Sequence, residues 1–148
     1  MKIIKAQEKH VNIASFLFNE YRLFYQQEYD LEGARNYILE RLKQGDSVIF
    51  LACSEDEKEG YGFTQLYPSF SSVSMRKIWI LNDLFVAENA RRNGVAKSLM
   101  NAAKELAVKT EAKGLALETG EDNVNAQKLY ESIGYEKESG VYHYFLTV

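Results

Sequence analysis

Between positions 83 and 97 the chain reads Asp83-Leu84-Phe85-Val86-Ala87-Glu88-Asn89-Ala90-Arg91-Arg92-Asn93-Gly94-Val95-Ala96-Lys97. An apolar strand pattern ends, a polar basic loop follows, and a helical pattern opens at a glycine. The start of a helix offers unpaired backbone N–H groups and a partial positive charge. A residue without a side chain lets an anion approach that backbone closely. Arg91, Arg92 and Lys97 add positive charge at the same place. The chemistry this suits is the binding of a phosphate or pyrophosphate. The segment is not a Walker loop, because no Gly-Lys-Ser/Thr ending is present. It is not a dinucleotide fingerprint either, because it carries one glycine.

A second group of residues has the means to move protons. Asp83 falls inside a long apolar strand pattern, where a carboxylate is expensive unless partnered. It is therefore either functional or structurally paired. Strand alternation sets it on the face opposite Asn82 and Leu84 unless a bulge intervenes. Glu118 stands at the end of a later strand. Cys53 lies in the apolar run Val48–Cys53 and reads as inert core. His10 precedes the first helix and reads as a surface or capping residue. His143 sits among Tyr142, Tyr144 and Phe145 and reads as packing or hydrogen bonding. Neither a zinc-ligand spacing nor a Ser/His/Asp arrangement is visible, so no metal is expected.

The elements that must position these residues follow from periodicity. A strand is predicted over 2–6. Ala14, Leu17, Tyr21 and Phe24 recur at helical spacing. Asp30 caps a second helix carrying Leu31, Ala34, Ile38 and Leu42 on one face, with Gly45 ending it. Residues 48–53 and 61–67 read as a hairpin across the charged turn Glu55–Gly60, and residues 69–74 as a polar loop. Residues 75–86 form a long strand in which Trp79, Leu81 and Phe85 alternate with Ile78, Ile80, Leu84 and Val86. After Gly94, the residues Val95, Leu99, Ala102, Ala103 and Leu106 make the apolar face of a helix. A strand is predicted over 115–119 and a helix over 123–133, stopped by Gly134. Two last strands follow, over 135–137 and 142–147. The order β-α-α-β-β-β-α-β-α-β-β is an α/β domain on a mixed sheet, not a regular βαβ repeat.

Composition bounds the rest. The 148 residues form one domain, 1–148, by the usual length range. With 46% hydrophobic and 13% aromatic residues the chain folds without disulfides or metals. Lys plus Arg is 18 and Asp plus Glu is 21, a net charge of −3, which argues against a nucleic-acid partner. No apolar run reaches membrane-spanning length, so no membrane partner is expected. A single cysteine and no signal-peptide pattern point to the cytoplasm.

Two motifs carry a family resemblance. Arg91-x-x-Gly94-x-Ala96 after a strand resembles the Gln/Arg-x-x-Gly-x-Gly/Ala signature of the GCN5-related N-acetyltransferases (GNAT). Asn123-x-x-Ala126-x-x-Leu129-Tyr130-x-x-x-Gly134-Tyr135 is similar to that family's second motif. Both fall in order on the right elements, and the resemblance spans the chain. It implies a mixed, mostly antiparallel sheet flanked by four helices, with a splayed central strand pair. It implies acetyl-CoA as cosubstrate. The amides of Arg92, Asn93, Gly94, Val95 and Ala96, with the side chain of Arg91 and the charge of Lys97, would hold the pyrophosphate. The strand end Phe85-Val86 would pair with the pantetheine arm, and Asn123 and Ala126 would line its far side. Tyr130 would sit near the thioester sulfur.

The reaction so implied needs three services. A free lysine-type amine has a pKa of ~10.4, so only about one molecule in 2,500 is nucleophilic at pH 7. A base must take that proton, and Asp83 and Glu118 are the candidates. In polyamine-type relatives a Glu often serves in the stretch where Asn82-Asp83 stands, and Asn82 cannot titrate. The oxyanion needs an N–H donor, for which a strand-end amide near Val86 is placed. The thiolate leaves with help from a proton donor, Tyr130. No covalent enzyme intermediate is required.

The acceptor side is expected from the first helices. Asn19–Asp30 is rich in aromatic and acidic residues, and Tyr67–Ser72 offers a second wall. The expectation is a small cationic amine as acceptor. It resembles the branch of diamine and thialysine acetyltransferases and the fungal D-amino-acid or histone acetyltransferases. The alternatives are a protein lysine or N-terminal acetyltransferase and a non-catalytic acyl-CoA-binding sensor. A homodimer is expected through the last strands, since family members often pair through this end.

Overall fold

The computed structural model describes residues Met1–Val148. They form two compact units, Met1–Leu117 and Glu118–Val148. The first unit is built on strands β1 (Lys2–Lys5), β2 (Val48–Cys53), β3 (Gly60–Ser71), β4 (Arg76–Val86) and β5 (Leu115–Ala116). They lie in the order β1-β2-β3-β4-β5. The first four run antiparallel, and β5 joins β4 in parallel. This is the mixed, mostly antiparallel α/β sheet that the sequence predicted.

Helices α1 (Val11–Phe24) and α2 (Leu31–Gln44) cover one face of the sheet. Their burial follows the predicted stripe except at Phe24, which lies at the end of α1 and is exposed. Ala14, Leu17 and Ile38 pack with Ile49, Leu51, Phe63 and Phe85 in one cluster. Asp30 caps α2 by accepting a hydrogen bond from the Gly33 N–H at 2.9 Å. Gly45 ends it in the left-handed region at φ +63°. Helix α3 (Val95–Lys109) covers the other face, where Val95 and Leu99 meet Ala52 and Ala90.

A bulge in β4 decides which residues face which helices. Gln65 pairs with Asp83 but Leu66 pairs with Leu81, leaving Asn82 as the extra residue. Paired residues share a face and successive residues alternate. Asp83 and Phe85 therefore lie with Gln65 and Phe63 on the α1–α2 face. Leu81 and Trp79 lie with Leu66 on the α3 face, where the Trp79 indole N–H donates to Thr110 Oγ1 at 2.8 Å. The sequence reading put Trp79, Leu81 and Phe85 on one face. The inserted Asn82 resets the alternation between them.

Of the hairpin strands, β2 has the predicted bounds and β3 is longer than predicted. β3 runs on through Pro68 to Ser71, into the stretch read as a loop. Pro68 is tolerated because the β2 ladder stops at Leu66, leaving the outer edge of β3 with no partner for an N–H to reach. Of the two readings of His10 the capping one holds, and the residue is buried rather than on the surface. Its Nδ1 accepts from the Gln7 N–H at 2.9 Å, so Nε2 carries the proton toward Glu57 Oε1 at 2.7 Å.

In the second unit, α4 (Val124–Ile133) begins after Asn123 and stops at Gly134, left-handed at φ +108°. Residues 135–148 form no strand, contrary to the prediction for 135–137 and 142–147. The predicted strand over 115–119 shortens to Leu115–Ala116. Alternating aromatic residues favour a strand only where a ladder and a pleated surface receive them. Here Tyr142, Tyr144 and Phe145 stand exposed.

Candidate active site

The open edge of β4 is the first component. Ala87 N–H donates to Tyr61 O at 2.8 Å, which makes that pair a hydrogen-bonded one. By the antiparallel alternation Phe85–Phe63 is the next such pair. Val86 and Leu84 therefore point their N–H and C=O groups away from β3. On that side β4 meets β5 only at Trp79–Leu115 and Ile80–Ala116. The pairing ends with β5 at Ile80–Ala116, and beyond it Leu84 and Val86 have no strand partner on that side, where the Val86 carbonyl accepts from Arg91 Nε. Gly62 lets β3 close up on the other side, because a Cβ there would lie 2.6 Å from Phe85 O.

The loop that follows leads into α3. Gly94 is its N-cap at φ +74°, with no side chain closing the first turn. A left-handed residue followed by a helical one turns successive N–H groups into a concave anion-binding nest. Arg92 is left-handed as well, at φ +66°. The Asn93 side-chain amide ties the turn down by donating to Ala90 O and Arg91 O at 3.3 Å. Arg91 Nε donates to Val86 O at 3.2 Å, and its guanidinium lies 5.8 Å from the centre of the Phe24 ring. That anchors the stem and leaves the terminal nitrogens for an anion. A Cβ built on Gly94 meets nothing within 4 Å, so the space beside the nest is open. A polyanion with an extended amide-bearing arm fits this combination of nest, cations and free strand edge.

Asp83 is the third component. It is 4% exposed on the α1–α2 face. Gln65 Nε2 donates to its Oδ2 at 2.7 Å and Asn82 Nδ2 to its Oδ1 at 3.0 Å. Tyr21 adds a further hydrogen bond. Burial pushes the Asp83 carboxyl above the ordinary carboxylate range, and these donors offset part of that rise. Gln65 is itself fully buried and accepts from Ser47 Oγ at 2.9 Å. Neither Gln65 nor Tyr21 was singled out from the sequence for this role. A glutamine between Phe63, Thr64 and Leu66 was the available signal, for the same reason that Asp83 was noticed.

Above that face the Tyr37 and Tyr67 hydroxyls meet at 2.6 Å. Burial, then the Tyr37 hydroxyl, pushes the Tyr67 hydroxyl far above the usual tyrosine range, so it stays protonated. Cys53 is buried at the end of β2 and burial pushes its thiol up, as an inert core cysteine requires.

The remaining predicted site residues belong to the second unit. Asn123 is the N-cap of α4 and its side chain makes no capping bond. Ala126 is half-buried. The Tyr130 ring lies 6.0 Å from that of Tyr135, whose hydroxyl is pushed up to about 12 by burial and by Tyr130. Glu118 is 84% exposed and lies 3.9 Å from His143. No group of three or more potential metal ligands occurs.

A mixed sheet whose fourth strand has no neighbour past Ile80, followed by a helix start that gathers backbone N–H groups and cations, is the arrangement of an acetyltransferase fold. The chain belongs to the Acetyltransferase (GNAT) family, whose profile matches residues 14–135. That family uses acetyl-CoA as cosubstrate, and the enzyme is an acetyltransferase. The chain is 47% identical over 148 residues to "Uncharacterized N-acetyltransferase YhfO" of Bacillus subtilis (strain 168), covering 100% of this chain and 98% of that protein. It is 30% identical over 136 residues to a "Probable acetyltransferase" of Haemophilus influenzae, covering 92% and 90% of the two chains. A crystal structure of a probable acetyltransferase superposes with a TM-score of 0.93 at 42% identity, covering 100% and 98%.

Proposed function

We propose that this protein moves an acetyl group from acetyl-CoA to the primary amine of a small cationic acceptor by direct attack. The observation that carries this reading is the buried carboxylate of Asp83 on the face lined by α1 and α2, beside the free edge of β4. The thioester supplies an activated acyl group. Everything else falls to the chain's own side chains and amides.

Arg91, Arg92 and Lys97, with the amides from Arg92 to Ala96, bind the pyrophosphate. The edge at Phe85 and Val86 receives the pantetheine arm, and Asn123 and Ala126 are assigned to CoA by the second family motif. The Val86 N–H is the donor for the developing oxyanion. Asp83, held by Gln65, Asn82 and Tyr21, takes the proton from the incoming ammonium, directly or through a water. Its raised pKa brings it nearer to the operating pH, which suits a general base. Glu118, exposed and beside His143, is the weaker candidate. Tyr130 returns a proton to the leaving thiolate.

The acidic residues Glu20, Glu28, Asp30 and Asp83 fall on α1, on β4 and in the link to α2, while the cations Arg91, Arg92 and Lys97 gather at the nest. That polarity would draw an ammonium to one mouth and a polyanion to the other. It also supports the diamine and thialysine branch over a protein lysine acceptor. The reading includes a homodimer, supported by the exposed apolar side chains of Tyr142, Tyr144, Phe145 and Leu146. It also includes a cytoplasmic setting, supported by the lone buried thiol. No helix is long and apolar enough to cross a membrane.

The test is thiol release from acetyl-CoA over polyamines, lysine analogues, D- and L-amino acids, aminoglycosides and histone-tail peptides. Turnover with small amines is expected. Preference for peptides would move the acceptor to proteins. CoA binding without turnover of any amine would make the protein a sensor. Light scattering at tens of micromolar checks the dimer.

A further inference from the structure

Between α1 and α2 lies a cavity of about 320 Å³, lined by Phe18, Arg22, Asp30, Gly33, Ala34 and Tyr37. Its walls hold both signs of charge, and they do not neutralise each other. Arg22 takes part in no ion pair within 4 Å; its one side-chain hydrogen bond runs from Nη1 to Glu28 O at 3.2 Å. Asp30 spends one oxygen, Oδ1, on the Gly33 N–H, and its Oδ2 has no partner. The apolar wall is the Phe18 ring stacked on Tyr37 at 5.4 Å with 13° between the planes.

Gly33 shows that the carboxylate is held there by the backbone. A glycine in a helix is destabilising relative to alanine. Here a Cβ would lie 2.3 Å from Asp30 Oδ2, so any other residue would push that oxygen off its present place over the first turn of α2. The same helix α1 links the cavity to the buried carboxylate. Phe18 and Arg22 line the cavity, while Tyr21 hydrogen-bonds Asp83 and its ring lies 6.2 Å from Phe18. The cavity and Asp83 are thus served by neighbouring positions within about one helical turn of α1.

We propose that the cavity between α1 and α2 holds the head group of a diamino acid, its carboxylate on Arg22 and its α-ammonium on Asp30, with the distal amine directed toward Asp83. This rests on the acetyltransferase reading and narrows its acceptor. A simple diamine would satisfy Asp30 and Asp83 and leave Arg22 without an anion. A diamino acid satisfies both, and its methylenes lie along the Phe18–Tyr37 wall. The guanidinium fork suits a carboxylate in two-point contact. In the transfer, the distal amine loses a proton and its lone pair forms the C–N bond. The C–S bond of the acetyl thioester breaks, and its electron pair leaves on sulfur.

Calorimetry on the unaltered protein with L-lysine, L-lysine methyl ester and cadaverine tests the head-group site without requiring turnover. L-lysine is expected to bind at least about tenfold tighter than either analogue, the effect of one charge-assisted contact. Arg22→Met should bring the three ligands to within about threefold of each other, and Gly33→Ala, which displaces Asp30, should weaken L-lysine. Cadaverine or the ester binding as well as L-lysine overturns the proposal, as does no binding of L-lysine. Thiol release measured with the same ligands separates the two readings. Arg22-dependent lysine binding without thiol release keeps the cavity assignment and removes the transferase reading. Faster release with cadaverine keeps the transferase and removes the cavity assignment.

Discussion

Gln65 Nε2 lies 2.7 Å from Asp83 Oδ2, and both side chains are buried. One neutral amide thus meets one acid across a strand pair, in the place where β4 carries an extra residue. The amide favours the ionised acid, while burial disfavours it. Removing the amide therefore acts on protonation and on folding together. In Gln65→Leu the rising limb of the pH profile of kcat/KM should move to higher pH, with a stability loss of about 1–3 kcal/mol. Unchanged pH dependence in a folded variant would detach Gln65 from the base.

Asp83 itself carries a sign that can be measured. Its folded pKa is raised above the unfolded value by burial. A raised acid contributes stability below its unfolded pKa and loses it as pH rises through the folded one. Asp83→Asn should therefore gain on the parent protein as pH rises from 4 to 7 in denaturant melts. The same variant should lower kcat by at least about 10²-fold. Full activity in Asp83→Asn would transfer the base to another group.

Glu57 behaves oppositely. His10, then Lys2, holds its carboxyl below the ordinary range. Its contribution is present above the unfolded pKa and lost as pH falls through the folded one. Glu57→Gln should lower Tm near neutral pH, and the gap to the parent should close below about pH 4. A gap of constant size across that range would leave no role for the charge.

At the nest, Gly94→Glu adds bulk and negative charge to a left-handed position. CoA affinity should fall sharply in calorimetry. Arg91→Ala should weaken CoA less, and more at low salt, since the lost attraction is partly screened. Undiminished affinity in folded Gly94→Glu would exclude the loop as the pyrophosphate site.

Tyr130→Phe keeps the ring and removes the hydroxyl. It should reduce kcat about 10²-fold with little change in CoA affinity if the hydroxyl donates to the thiolate. An unaltered kcat would make Tyr130 a packing residue.

The helices were legible because their signals are local. The stripe of Ala14 and Leu17, the cap at Asp30 and the glycine stops at Gly45 and Gly134 depend only on near neighbours. The nest was legible for the same reason. What was not legible depends on pairing. The shift between Gln65 and Leu66 has no local signature, so the face of Asp83 stayed conditional on a bulge. The aromatic run from Tyr142 to Phe145 alternates like a strand, yet alternation does not supply a ladder. Arg22 and Asp30 lie eight positions apart, with nothing in their spacing to announce a shared cavity. Gly33 was the one available clue.

The extra residue in β4 has a consequence for how this chain can vary. Asn82 is exposed, and replacing it removes a single hydrogen bond to Asp83. Deleting it is a different kind of event. With one residue fewer, everything from Asp83 to Val86 exchanges faces, so Phe85 leaves the cluster of Phe63 and Leu51, and the carboxylate turns to the side of α3. The effect of substitutions at this position should be confined to the loss of that one hydrogen bond, while the number of residues between Ile80 and Asp83 should not drift. The strand counts its residues more strictly than it reads them.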